Sequence, residues 1–332
     1  MREKLYFQWH ITDACNFRCR HCYQSDFTKA SDLALADLIK IYENISASSS
    51  GRKTRISVTG GEPLLRKDLF DILKYLDRHD TTEELAIITN ASLINENIIE
   101  KLREIRKLKQ VKISLDGATE KVNDLVRKPG AFKMALEKIN LVQEKSSFEV
   151  IVMFTAMRSN VFELPALFQL CRELKVDGMM IERFIPLGQG AALRSEIISK
   201  EDWKRLVGEI CECAGAEMAE KDMLACKAFW VKFKDEGVEL LGAECNVGED
   251  AFAIMPNGDL LPCRRFAMKI GNLLDNSLMD IIGKSRVLQE VADKSKLKGK
   301  CRACRVENCR GCRAIAYAIG KDYLEEDSFC WI

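Results

Sequence analysis

The chain has 332 residues, 47% of them apolar and 30% charged, with 51 Lys and Arg against 50 Asp and Glu. That length accommodates one large domain and a small second one around a real core. A net charge of +1 excludes general attraction to nucleic acid or to an anionic membrane surface, and no apolar run approaches the roughly 18–20 residues that span a bilayer.

Residues 1–4 lead directly into an alternating strand pattern rather than the apolar core of a signal peptide, so a cytoplasmic protein is expected. Strand-like runs follow at 5–11, 55–59, 85–89, 111–115, 149–155 and 179–184. Amphipathic stretches at 67–78, 95–107, 131–144 and 161–174 lie between them, and 46–51 reads as a loop. Six strands joined by helix-length crossovers predict an α/β fold with a parallel sheet, either open and doubly wound or a partial barrel. Residues 200–233 read as helical and predict a bridge. Beyond it, 251–255 and 260–263 flank Asn257-Gly258 and predict a β-hairpin. The last hundred residues hold seven cysteines and only short elements, the pattern of a small region stapled by metal or disulfides.

The chain has 14 cysteines but only three histidines, His10, His21 and His79. In a long chain without a signal peptide, clustered cysteines point to metal, and an all-thiolate inventory to zinc or iron–sulfur. Cys15-x3-Cys19-x2-Cys22 follows the first strand. Three thiolates hold three corners of a [4Fe–4S] cube and leave the fourth iron open to a ligand, while a zinc knuckle or three buried thiols is the plainer alternative. Gly60-Gly61-Glu62-Pro63, Thr89-Asn90-Ala91 and Ser114-Leu115-Asp116-Gly117 each end a predicted strand, where α/β folds place their sites.

Taken in this order, these motifs resemble the radical S-adenosylmethionine (SAM) superfamily over about residues 5–185. The resemblance favours the partial (β/α)6 barrel and implies a SAM-binding [4Fe–4S] cluster on Cys15, Cys19 and Cys22. It further implies SAM contacts from His21, Gly60, Gly61, Glu62, Pro63, Asn90, Ser114, Asp116 and Arg127. Ala91 departs from the family's common glycine. The later set, Cys245, Cys263, Cys301, Cys304, Cys309, Cys312 and Cys330, resembles the SPASM extension of that superfamily. The resemblance implies one or two auxiliary iron–sulfur clusters, read as two [4Fe–4S], with Cys245, Cys263 and Cys312 serving the first and the other four the second. A zinc ribbon has similar spacing. Cys226 is a candidate further ligand; Cys171, Cys211 and Cys213 read as core residues. The domains expected are a radical SAM core at 1–200, a helical bridge at 201–240 and a SPASM domain at 241–332.

The resemblance implies reductive cleavage of SAM and hydrogen abstraction. Where formylglycine-forming relatives have an Asp after the second SPASM cysteine, this chain has Arg264, followed by Arg265. These two are candidate substrate contacts, since guanidinium groups suit a carboxylate. Peptide maturation (crosslinking, epimerisation or decarboxylation) is the first reading. Oxidative decarboxylation of a cofactor or haem precursor is the second, and a non-catalytic iron–sulfur carrier or zinc scaffold the third. A flavodoxin- or ferredoxin-type electron donor is an expected partner. Cys15 stands close to residue 1, so leader-peptide recognition is expected from a separate protein.

Overall fold

The computed structural model describes residues 4–235, 237–306 and 309–332. Six parallel strands form its centre: β1 (Lys4–His10), β2 (Lys53–Thr59), β3 (Thr82–Thr89), β4 (Leu108–Ser114), β5 (Glu149–Ala156) and β6 (Gly178–Arg183). The crossovers contain α1 (Leu35–Ser48), α2 (Leu69–Arg78), α3 (Glu96–Arg103), α4 (Glu120–Val126), α5 (Ala131–Lys145) and α6 (Leu164–Glu173). Sequential order from β1 to β6 is the order of a βα barrel rather than of a doubly wound sheet.

The alternation in β1 shows how the layers are made. Leu5, Phe7 and Trp9 are fully buried against the helical layer, where Trp9 stacks on Tyr42 of α1. Tyr6 and Gln8 point to the other face and line an interior cavity. The same parity on β4 sends Val111 and Ile113 into the core and brings Lys112 to the cavity wall.

The sheet extends beyond both ends of this array. After α7 (Lys200–Ala214), capped by the reciprocal Ser199–Asp202 box, and α8 (Glu220–Ala225), the chain forms β7 (Cys226–Lys234) and β8 (Gly237–Glu244). The expected helical bridge is therefore corrected over its second half. Phe229, Trp230, Val231 and Phe233 are aromatic or β-branched and favour a strand, and Gly237 at φ +113° takes the chain round the hairpin. β7 pairs antiparallel with β6. At the opposite edge β9 (Ala251–Ile254) runs parallel to β1 and forms the expected hairpin with β10 (Asp259–Leu261), through Gly258 at φ +83°. β11 (Gly271–Asn272) completes the order β11-β10-β9-β1-β2-β3-β4-β5-β6-β7-β8. The chain ends in α9 (Leu278–Lys284), α10 (Arg286–Ala292), α11 (Gly299–Ala303) and α12 (Arg313–Gly320).

Candidate active site

The C-terminal ends of the parallel strands surround a cavity lined by Cys15, Cys19, His21, Cys22, Gly60, Gly61, Thr89, Asn90, Ser114 and Arg127. Two interlocking loops build its wall. Gly61 N–H donates to Thr12 O, and Glu62 N–H to Ala14 O, each at 2.8 Å. A Cβ on Gly60 would lie 2.2 Å from Thr12 O and one on Gly61 2.3 Å from Ala14 O, so only glycine allows this approach. A third loop, after β6, clamps the cysteines from the far side. Gly190 N–H donates to Cys22 O at 2.9 Å, and the Gln189 amide reaches Cys19 O at 3.0 Å. Sequence reasoning missed Gln189 and Gly190, because no local motif reports a contact 170 residues away.

Burial pushes the Cys19 thiol up to about 12, although the Arg127 guanidinium beside it pulls the other way. Burial likewise raises Cys15 and Cys22. Thiols this reluctant to ionise alone become thiolates when a metal takes the proton's place. Arg127 Nη1 stands 3.9 Å from Cys19 Sγ and Asn90 Nδ2 3.8 Å from Cys15 Sγ. His21 Nδ1 and Arg127 Nε are buried and have no hydrogen-bond partner among the described residues. Three thiols on one wall, with donors turned towards them, suit a thiolate-bound anionic group and a polar ligand beside it.

Two of the residues expected at the ligand are carboxylates bonded to the surrounding loops. Glu62 is fully buried: Oε1 accepts from Leu64 N–H (3.1 Å) and Thr89 Oγ1 (2.8 Å), and Oε2 from Asn90 N–H (2.8 Å). It ties the ends of β2 and β3 together, and burial raises it to about 7 despite these donors. Asp116 is equally buried, with Arg127 Nη2 at 2.7 Å and His21 Nε2 at 3.2 Å from Oδ2 and Thr155 N–H at 2.9 Å from Oδ1. Against the cost of burial, Arg127 and His21 pull it down to about 2. Neither carboxylate lines the cavity, nor does Pro63, which opens a short 3-10 turn. The acids position the lining; His21, Gly60, Gly61, Asn90, Ser114 and Arg127 form it.

A second cavity of about 670 Å³ lies inside the sheet and shares Gln8, Ile88, Met153, Glu182, Arg264 and Arg265 with the first. At this junction Glu182 is held by Arg264, and Arg265 stands 3.7 Å away. Cys226, Cys245, Cys263 and Cys312 line the second cavity. Burial, with Cys312 and Cys263 close by, pushes Cys245 up to about 12. The remaining cysteines stand in a polar shell. Cys301 Sγ accepts from Asp327 N–H at 3.3 Å and from Arg313 Nη2 at 3.5 Å. Lys227 Nζ lies 3.6 Å from Cys309 Sγ, and Lys300 exerts its charge on Cys330. Asp327 binds Cys312 N–H at 2.8 Å and faces Arg183 (3.8 Å) and Lys227 (3.9 Å), tying the end of β6 to the C-terminal segment. Cys171 and Cys211 are buried in α6 and α7, and Cys213 packs against the core, so these three stand apart from both cavities. Among the described residues, no three His, Cys, Asp or Glu side chains converge on a point that would hold a single metal ion, and no helix is long and apolar enough to cross a membrane.

Residues 9–171 match the family model of the radical SAM superfamily, and residues 245–313 match that of an iron–sulfur cluster-binding domain, SPASM. The chain belongs to the radical SAM superfamily, in its SPASM branch. Among similar proteins, an AdoMet-dependent heme synthase of Methanosarcina barkeri is 27% identical over 97% of this chain and 95% of its own. The mycofactocin maturase MftC of Mycobacterium ulcerans is 27% identical over 97% and 86%. In fold the chain is similar to SuiB of Streptococcus suis (TM-score 0.74, 17% identity, 99% and 76% covered). It is also similar to anSMEcpe with bound AdoMet and a peptide (TM-score 0.75, 16%, 98% and 94%). The protein is thus a radical SAM enzyme: its first domain binds a [4Fe–4S] cluster and SAM, and its SPASM domain binds auxiliary iron–sulfur clusters.

Proposed function

We propose that this enzyme removes a hydrogen atom beside a carboxylate of its substrate, with oxidative decarboxylation as the outcome: CO2 would leave as the remaining electron passes to an auxiliary cluster of the SPASM domain. The observation that carries this reading is the Glu182–Arg264–Arg265 cluster at the junction of the two cavities, which places two guanidinium groups against one acid between the SAM side and the SPASM cysteines. An excess of positive charge there suits a substrate carboxylate.

On this reading Cys15, Cys19 and Cys22 hold the SAM cluster. Gly60 and Gly61 present backbone to SAM, while His21, Asn90, Ser114 and Arg127 line its bed, with Glu62 and Asp116 bracing them. Once bound, the cluster and SAM supply a 5′-deoxyadenosyl radical that abstracts hydrogen. Cys245, Cys263 and Cys312 hold one auxiliary cluster, and Cys301, Cys304, Cys309 and Cys330 another. The reading divides the chain into 1–200, 201–240 and 241–332, with the β7–β8 hairpin spanning the second division. It also takes electrons from a flavodoxin- or ferredoxin-type donor and places the enzyme in the cytoplasm.

The first substrate class is a peptide bearing an Asp or Glu side chain or a free C-terminus, supported by the similarity to a mycofactocin maturase and presented by a separate leader-recognition protein. The second is a tetrapyrrole propionate, supported by similarity to heme synthases over nearly the full length of both chains. The deciding experiment is anaerobic reconstitution of the wild type and the Cys15/Cys19/Cys22→Ala variant, with iron counting, SAM and dithionite. The wild type releases 5′-deoxyadenosine; the variant keeps its auxiliary iron and releases none. Added iron-coproporphyrin or a carboxylate-bearing peptide then loses CO2. A wild type that cleaves SAM but decarboxylates neither overturns the substrate reading.

A further inference from the structure

Lys112 is a buried charge without a salt bridge among the described residues. It sits in the middle strand region of the barrel and is 4% exposed, yet its hydrogen bonding is limited to Ser57 Oγ at 3.3 Å, whose hydroxyl also receives Tyr6 Oη at 2.9 Å. Its ammonium lies 5.6 Å from the centre of the Trp230 ring. Two acids line the same cavity. Glu182 is shared by Arg264 and Arg265, and Asp222 is exposed on α8. Neither stands within salt-bridge distance of Lys112; Glu182 feels its charge but is already held by Arg264 and Arg265, so the buried ammonium has only a shared counter-charge against its desolvation. Beside it, Trp230 Nε1 is buried and has no acceptor among the described residues. An ammonium and an indole N–H, both lacking an acceptor of matching strength and both on the wall of one cavity of about 670 Å³, are complementary to an anion.

Strand geometry fixes the depth of this pair. Ser114 and Lys112 lie on the same face of β4, two residues apart, which is roughly 7 Å along the strand. Ser114 lines the cavity at the cysteine triad, and Lys112 lines the deeper one. Gln8 and Met153 line both, so the passage between the levels is continuous. Met153, Met180, Phe229 and Leu241 make the deeper walls largely apolar.

We propose that Lys112 and Trp230 Nε1–H form a carboxylate subsite on the barrel floor, which anchors one end of an elongated apolar substrate while its reacting end lies at the level of Ser114 and Arg264. This deepens the functional reading above and rests on it: the junction guanidiniums face the carboxylate that reacts, and Lys112 faces a second one that does not. The substrate class is then an apolar molecule with two or more carboxylates separated by several bonds.

The test uses reconstituted holoenzyme and two fluorescent probes, 1-pyrenebutyrate and its uncharged counterpart 1-pyrenebutanol. The wild type is expected to bind the butyrate about tenfold more tightly, the size of one charged hydrogen bond. Lys112→Met abolishes that preference while binding the butanol as before. Lys112→Arg restores it, and Trp230→Phe, which keeps the ring but removes the N–H, reduces it. A preference that survives Lys112→Met, or a wild type without one, overturns the subsite. Should Lys112→Met fail to fold, Lys112→Arg and Trp230→Phe decide by the same comparison. No arm depends on SAM turnover, so failure of the subsite and failure of the decarboxylation reading are separately visible.

Discussion

Asp116 and Glu62 show how a single buried acid organises a cavity wall that it does not itself line. Asp116 holds His21 and Arg127 together, so replacing it by Asn leaves two buried cationic or polar groups without their counter-charge. The expected loss is about 3–5 kcal/mol, read as a lowered Tm of the apoprotein together with weaker SAM binding. A Tm within a degree of the wild type refutes this. Glu62 carries a pH dependence of the opposite sense. Its folded pKa of about 7 lies above its ordinary value of 4.5, so its contribution to stability is fully present below about pH 4.5 and is lost as the pH rises through 7. Glu62→Gln turns an amide N–H against the donors of Asn90 or Thr89 and costs about 1–3 kcal/mol, and denaturant titrations at pH 5 and 8 show a smaller pH difference than in the wild type.

At the scale of elements, the contact between the loops after β1 and β2 is made by backbone alone. Gly61→Ala inserts a methyl group where only 2.3 Å separates its Cβ from Ala14 O, so the thiol loop must shift. The expected result is loss of SAM cleavage with retention of auxiliary iron, checked by 5′-deoxyadenosine release and iron content. Normal cleavage would mean that the loop moves without harm. The hairpin of β7 and β8 matters for a different reason: it brings Lys227 within 3.6 Å of Cys309 Sγ. Positive charge and hydrogen bonds to ligating sulfur favour the reduced cluster. Lys227→Met therefore lowers the midpoint potential of one auxiliary cluster, read by EPR-monitored redox titration; an unchanged potential separates Lys227 from the cluster.

The whole molecule is one sheet whose edges meet the same interior. β9 at one edge and β7–β8 at the other both contribute walls to the second cavity, and Asp327 links β6 to the C-terminal segment through Arg183. The two cavities consequently share lining residues and form one connected space. Neutralising the junction with Arg264→Met and Arg265→Met together is expected to abolish product formation while uncoupled SAM cleavage continues, since Arg264 meets the thiol loop at Tyr23, whose ring it covers at 5.0 Å, and not through a direct bond to a thiol. Parallel loss of both activities would place these arginines in the SAM bed instead.

Much of this was legible in the chain itself. The six strands, the Cys15–Cys19–Cys22 spacing, the glycine pair and the Asn257-Gly258 hairpin are local patterns, in which periodicity, thiol spacing and turn chemistry act over a few residues. These determined the class of fold and, through the family resemblance that the motifs carry, the class of reaction. Residues 226–244 misled because charged residues interrupt an aromatic strand, and its identity depends on pairing with β6. Only the tertiary structure decided that Glu62 and Asp116 brace the loops around the cavity and stand outside its lining, that Gln189 clamps a loop 170 residues away, and that Lys112 faces a cavity whose nearby acid, Glu182, is already held by two arginines. Burial and counter-charge are properties of what surrounds a residue in space, and sequence neighbours do not report them.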